Sequence, residues 1–310
     1  MRLQRFAQAL GILAVAGLLS APASAQFGGL GSIVRKAQTV QRIGTNLREI
    51  GEAEEIQLGG DLSGIILGAA PLIQDQAKQR YVNRLGRWLA SHSERANLPW
   101  KFGIIESSDL NAFSMPGGYV LVTRGMFDNA RSVSELAGVL AHEIAHVVRK
   151  HQLNALQKKM GNGTLRDISG LYGGGPRLGG GGIMGRLTGK LLESGRELFA
   201  SGLDKADEYE ADQMGVVIAA RSGYSPYGLV GVLQTLAAEP VDGRYGLMSR
   251  THPQAADRLT RLDGAMGTRL DGLAGLVDDL PSFDRLRNPG AAPDSTPAAP
   301  VRARPRRRRG

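Results

Sequence analysis

The chain contains no cysteine. That excludes a disulfide scaffold, a thiolate metal site, a cysteine nucleophile and a lipidated N-terminal cysteine, so any metal site must use His, Asp or Glu. Aromatic residues make up only 5% of the 310 residues. Glycine is frequent, at 43 residues, but shows no collagen-like period. Outside the N-terminus no stretch approaches the roughly 18 apolar residues that a membrane-spanning helix needs. The interior of the chain also lacks a charge excess. The net charge is +9, but Arg2 and Arg5 supply +2 near the start and six arginines from Arg302 to Arg309 supply +6 at the end, leaving +1 between them. A nucleic-acid-binding surface is therefore not expected. With 42% hydrophobic and 22% charged residues, the chain has the composition of a folded protein with a sizeable core.

Residues 1–25 read as a secretory signal peptide. Arg2 and Arg5 precede the apolar stretch Leu10–Leu19, and Ala23-Ser24-Ala25 is a small-x-small cleavage site. The mature chain is expected to begin at Gln26 and to be periplasmic or secreted. Residues 26–70 form an N-terminal helical segment, with Ile33, Val40, Ile43, Leu47 and Ile50 at helical spacing over 32–55. Residues 71–280 are expected to form one domain. Helical pattern runs over 71–96, a strand is predicted near Trp100–Ile105, and Asn111–Val122 is a turn feeding a β-rich run. One long helix is predicted over 133–159, with Ser132 and Glu135 as a capping box. Further helices are predicted over 197–221 and from Pro226. Residues 161–195 are a Gly-rich flexible insertion, read either as a mobile cover over a cleft or as an insertion without a role. Residues 281–310 are a disordered tail rich in Pro, Ala and Arg.

The chemistry concentrates at His142-Glu143-Ile144-Ala145-His146. On a helix, positions i and i+4 lie about 40° apart, so both imidazoles share a face and can bind one Zn²⁺. Glu143 sits beside them, placed to take a proton from metal-activated water. A catalytic site needs a third protein ligand and an open position. Arg149 and Gln152 stand where the metzincin pattern requires Gly and His. His151 is a tempting substitute, but five residues past His146 rotates it about 140° away, and it is expected to face solvent on the helix. The better third ligand is Glu208. It shares a helix face with Asp212, whereas Glu210 points elsewhere. One carboxylate can ligate while the other holds an imidazole from behind. The same spacing equally describes a solvated acidic helix face.

Four motifs occur in order: Asn111-Ala-Phe-Ser-Met-Pro-Gly-Gly118, His142–His146, Glu208-Tyr-Glu-Ala-Asp212, and Thr251-His252-Pro253 followed by Arg258. In these motifs the chain resembles the zinc metallopeptidase family that includes the CAAX prenyl protease, the HtpX heat-shock protease and the mitochondrial Oma proteases. It is most similar to the periplasmic BepA/LoiP-type members. The resemblance implies a gluzincin site with one Zn²⁺ per chain. His142, His146 and Glu208 would be its ligands and Glu143 the general base, with Asp212 and Arg258 behind them. His252 would either stabilise the oxyanion or fill the fourth zinc position, the remaining reading being a structural helix-start histidine. Asn111, Ala112, Phe113, Ser114, Gly117 and Gly118 would belong to an edge strand that pairs with an extended substrate. Two departures stand out. Asp204-Lys205 replaces the usual Ser-Arg, and tetratricopeptide repeats like those of BepA are not expected.

The expected fold is an α+β zincin-like metallopeptidase domain, with a small, mostly antiparallel sheet packed beside the active-site helix and enclosed by helices. The expected function is zinc-dependent endopeptidase cleavage of unfolded or misassembled envelope proteins. The alternative is a zinc-bound periplasmic chaperone or adaptor with little turnover. The Arg-rich tail offers a peripheral membrane contact, at about 1 kcal/mol per arginine on an anionic surface; a solvated tail is the plainer reading.

Overall fold

The computed structural model describes residues 50–161, 193–195, 197, 199–238, 246–252, 254–270, 272–273 and 275–287. The signal peptide, the helical pattern over 32–49, residues 162–192 of the Gly-rich insertion and the Arg-rich end beyond 287 lie outside these residues.

The first described helix, α1 (Glu52–Ala69), starts where the sequence reading had a helix ending. Gly51 donates its N–H to Glu54 Oε2 at 3.0 Å. Three glutamates occupy the first turn, where the helix dipole favours negative charge. Leu58, Leu62 and Ile66, one turn apart, are buried against the sheet. Pro71–Ile73 are extended rather than helical: Leu72 bridges Ile105, and Ile73 N–H donates to Ile104 O at 3.0 Å. Asp75 then caps α2 (Gln76–Ala90) by accepting from the N–H groups of Ala77 and Lys78.

Three strands follow: β1 (Lys101–Ile105), β2 (Ala112–Met115) and β3 (Tyr119–Thr123), in the order β1-β3-β2. β1 and β3 are parallel, with Lys101 opposite Tyr119; β2 and β3 are antiparallel, with Ala112 opposite Val122. The sheet is thus mixed rather than mostly antiparallel. The tight turn Pro116-Gly117-Gly118 returns the chain between the two earlier strands, which forces the parallel pair. Gly117 has φ +75°, and a Cβ there would lie 2.4 Å from Ile56 Cα, so the turn fits beneath α1 only without a side chain. Glu55, fully buried, accepts from Gly117 N–H at 3.0 Å and from Arg95 at 2.7 and 3.0 Å. Helix α3 (Arg124–Asn129) closes this part.

Every residue from Val133 to Val147 of α4 (Val133–Val148) is buried. A helix apolar on all sides belongs in the centre of a core. Ser132 caps it, accepting from Glu135 N–H at 3.3 Å, but the Glu135 carboxylate returns to Arg131 N–H, not to Ser132. The predicted single helix over 133–159 is two. α4 ends at Val148, Lys150 is left-handed at φ 59°, and α5 (His151–Met160) begins in a new direction. Helices α6 (Lys205–Arg221) and α7 (Tyr227–Ala238) pack against α4; α8 (Gly246–Thr251) follows, and α9 (Ala255–Met266) packs on α6 and α7. Residues Pro281–Arg287, expected in the disordered tail, form α10. Its Phe283 is fully buried and stacks on Tyr81 at 5.7 Å. A large aromatic ring, with Leu286 also packed on the core, anchors a segment whose composition reads as disordered.

The left-handed Lys150 yields a direct expectation. Lys150→Gly should be tolerated, whereas a β-branched Lys150→Ile should destabilise by about 1–2 kcal/mol, because the side chain then meets the backbone in that conformation. Chemical denaturation of the two variants measures this.

Candidate metal centre

Helix α4 presents His142 and His146, and α6 presents Glu208 and Asp212. The two helices approach closely because Gly215 of α6 lies over the backbone of His142, leaving 3.1 Å for an added Cβ. All four side chains are at most 2% exposed. His142 Nε2 and His146 Nε2 stand 3.0 Å apart and lie 3.6 and 3.5 Å from the Glu208 carboxylate. His252, at the end of α8, brings Nδ1 to 3.1 Å from Glu208 Oε2. One donor atom from each of His142, His146, Glu208 and His252 lies within 4.8 Å of the other three. Behind them, Asp212 Oδ1 is 3.0 Å from His142 Nδ1, and the fully buried Arg258 of α9 clamps Asp212 at 2.8 and 2.6 Å. Arg258 also reaches Glu208 at 3.1 Å.

Glu143 lies on the other side of the cluster. Its Oε2 accepts from Ser114 Oγ at 2.6 Å, and Oε1 is buried without a hydrogen-bond partner, 3.7 Å from His252 Nε2. The cleft here is bounded by β2, Glu143, Phe199 and His252. β2 is an edge of the sheet among the described strands. Of the six residues expected on a substrate strand, Ala112 and Phe113 line the cleft. Ser114 lines it as well, and its hydroxyl donates to Glu143. Asn111 Oδ1 accepts from Ala112 N–H and from Thr251 Oγ, and Gly117 and Gly118 form the turn under α1.

Two residues escaped the sequence reading. His151 is 3% exposed, not solvent-facing: its Nδ1 is 2.8 Å from His146 Nδ1 and its Nε2 3.1 Å from Glu210 Oε2. The rotation argument failed because the helix breaks at Lys150. Gln152, also buried, donates to Ser114 Oγ at 2.7 Å. A legible signal was the phase of Leu153, about 180° from Ile144 on one continuous helix although both are core residues. It was masked because α4 is apolar all round.

The electrostatics fit a bound dication. Burial opposes charge on His142, yet Asp212 and Glu208 outweigh it and push its pKa up to about 9. His146 moves down to about 4, through burial and then repulsion from His142. Burial works against the Glu208 anion, but His252 and Arg258 hold it well below the usual carboxylate range. Asp212 is likewise pulled down against burial, to about 2, by Arg258. Arg258 alone does not neutralise the buried Glu208 and Asp212 carboxylates, and a metal ion bound beside them would offset the charge more completely. The donor set, imidazole nitrogens and a carboxylate from two facing helices, is suited to a transition metal.

Two histidines one helical turn apart, a carboxylate from a second helix and a small mixed sheet alongside define a zincin-like metallopeptidase domain. The chain belongs to peptidase family M48, matching it over residues 76–266. It is 30% identical over 230 residues to the beta-barrel assembly-enhancing protease of Escherichia coli strain K12, a match covering 72% of this chain and 46% of that protein. It is 28% identical over 176 residues to metalloprotease LoiP of the same organism, covering 56% of this chain and 65% of LoiP. With the mitochondrial metalloendopeptidase OMA1 of Schizosaccharomyces pombe it shares 26% over 184 residues, 59% of this chain and 51% of the relative. The matched region thus spans less than half of the beta-barrel assembly-enhancing protease. No helix among the described residues is long and apolar enough to cross a membrane.

Proposed function

We propose that the protein is a zinc-dependent metalloendopeptidase that hydrolyses peptide bonds of unfolded or misassembled envelope proteins. The observation that carries this reading is the convergence of His142, His146 and Glu208 beside a glutamate whose one unpartnered oxygen lies 3.7 Å from His252, a fourth member of the same donor cluster. Nitrogen and carboxylate donors without thiolate suit Zn²⁺, which when bound supplies Lewis acidity, activating a water and polarising a carbonyl. The chain's own residues do the rest. Glu143 Oε1, unpartnered and buried, takes the water's proton and returns it to the leaving amine. Ser114 holds the other carboxylate oxygen, so the base cannot turn away. An extended substrate lies along the free edge of β2, recognised mainly through its backbone, which suits cleavage of unfolded chains with little side-chain preference. The signal-peptide pattern of residues 1–25 supports a periplasmic location. Release of peptides from an unfolded outer-membrane protein, abolished by a chelator and restored by Zn²⁺, tests the reading; chelator-insensitive cleavage, or none, would overturn it.

His252 belongs to the donor set, and with it the metal would have four protein donors and no open position. A working site needs one open. His252→Ala is therefore expected to raise turnover, read as initial rates on an unfolded substrate at matched zinc content. A fall in kcat at unchanged KM would instead assign His252 to the oxyanion.

A further inference from the structure

We infer that His151 and Gln152, two adjacent side chains delivered by the left-handed turn at Lys150, are positioning residues of the site. His151 fixes the metal-facing nitrogen of His146, and Gln152 fixes the general base through Ser114. The inference rests on the metallopeptidase reading above.

Consider His146 first. Its Nε2 faces His142 and Glu208, so it must be unprotonated to act as a donor to a metal. The proton of the neutral ring then sits on Nδ1, which lies 2.8 Å from His151 Nδ1. His151 must accept that bond, and its own proton is therefore on Nε2, directed at Glu210 Oε2 at 3.1 Å. Arg149 holds the other Glu210 oxygen at 2.5 Å. The row Arg149, Glu210, His151, His146 has one polarity from surface to centre. It selects the tautomer and ring orientation that a metal needs.

The polarity at Gln152 is equally fixed. The carboxylate of Glu143 can only accept, so Ser114 Oγ–H donates to it. The lone pair of Ser114 is then free to accept, and Gln152 Nε2 donates at 2.7 Å. Without that donor the hydroxyl could rotate and leave Glu143 unheld.

Neither contact exists in a continuous helix. The bend at Lys150 makes both, and a non-glycine residue held at positive φ costs energy that persists only where the surroundings impose it. Only one other non-glycine among the described residues has positive φ: Gln254, two positions after His252.

The test uses full-length protein, Zn²⁺ affinity by competition with a chromophoric chelator, kinetics on an unfolded protein, and thermal unfolding of the metal-free form. His151→Phe should weaken Zn²⁺ binding by roughly 10–100-fold, the usual cost of losing a partner behind a ligand. His151→Gln, whose carbonyl can accept from His146, should recover most of it. Gln152→Met should leave Zn²⁺ affinity and KM unchanged and lower kcat by roughly 3–10-fold, the worth of one hydrogen bond. Wild-type affinity in His151→Phe overturns the assignment. So does equal weakening in both His151 variants accompanied by lowered unfolding temperature, which marks a merely structural residue. A Gln152→Met effect on affinity or KM rather than kcat overturns the second half. If the wild-type chain bound no Zn²⁺, the metallopeptidase reading would fall, and the inference with it.

Discussion

Glu143→Gln is expected to bind zinc as tightly as the wild type, unfold at the same temperature, and lose about 10²–10⁴ of turnover. The substitution changes little but chemistry. Glu143 is 1% exposed, and glutamine has nearly the same shape. Its carbonyl can still accept from Ser114 Oγ, which now bonds Oε2 at 2.6 Å. The free Oε1 becomes an amide nitrogen, which cannot take the water's proton. Zinc content per chain and peptide release should be measured on the same preparation. A zinc-loaded variant retaining more than a few per cent of activity would remove Glu143 from the role of base.

Glu208→Ala should reduce metal affinity by more than the roughly 100-fold that bounds the loss of an outer partner. It deletes the carboxylate that faces both His142 and His146, and leaves two imidazoles with no anionic donor. Its neighbours on α6 provide graded controls. Asp212→Asn keeps the ligands but weakens the hold on His142, so affinity should fall by roughly 10–100-fold. Glu210→Ala removes only the far end of the His151 row and should stay within about tenfold. Equal zinc stoichiometry in Glu208→Ala and the wild type, by elemental analysis after dialysis, would exclude Glu208 as a ligand.

Much of the centre was legible because helical phase is a strong constraint. The i, i+4 spacing of His142 with His146 and of Glu208 with Asp212 placed each pair on one face, and both pairs converge in the structure. What was not legible depended on where helices stop. Nothing in Arg149-Lys150 announces a left-handed residue, since lysine is not a usual cap, so His151 was assigned to solvent. The same difficulty hid α10: Phe283 and Leu286, three residues apart in a seven-residue helix, are too few to carry a periodic signal, and the packing of Phe283 on Tyr81 and Phe127 is what gives the segment its place. The sheet was misjudged for a related reason. Residue patterns identify strands and a hairpin, but not that a third strand pairs in parallel with the hairpin's return arm.

The buried Glu55 has a practical corollary. Its carboxylate ties the first turn of α1 to the Gly117 turn and to Arg95, while Lys150, at the bend behind the site, stands 3.6 Å from it. The family match begins only at residue 76 and ends at 266. An expression fragment trimmed to those limits would discard Glu55, the apolar face of α1 and the Phe283 anchor. It would leave Arg95 without its anionic partner and the floor of β2 open to water. Where the family match ends is a poor guide to where this polypeptide can be cut; a fragment starting near Ile50 and ending after Arg287 keeps each of these contacts within one folding unit.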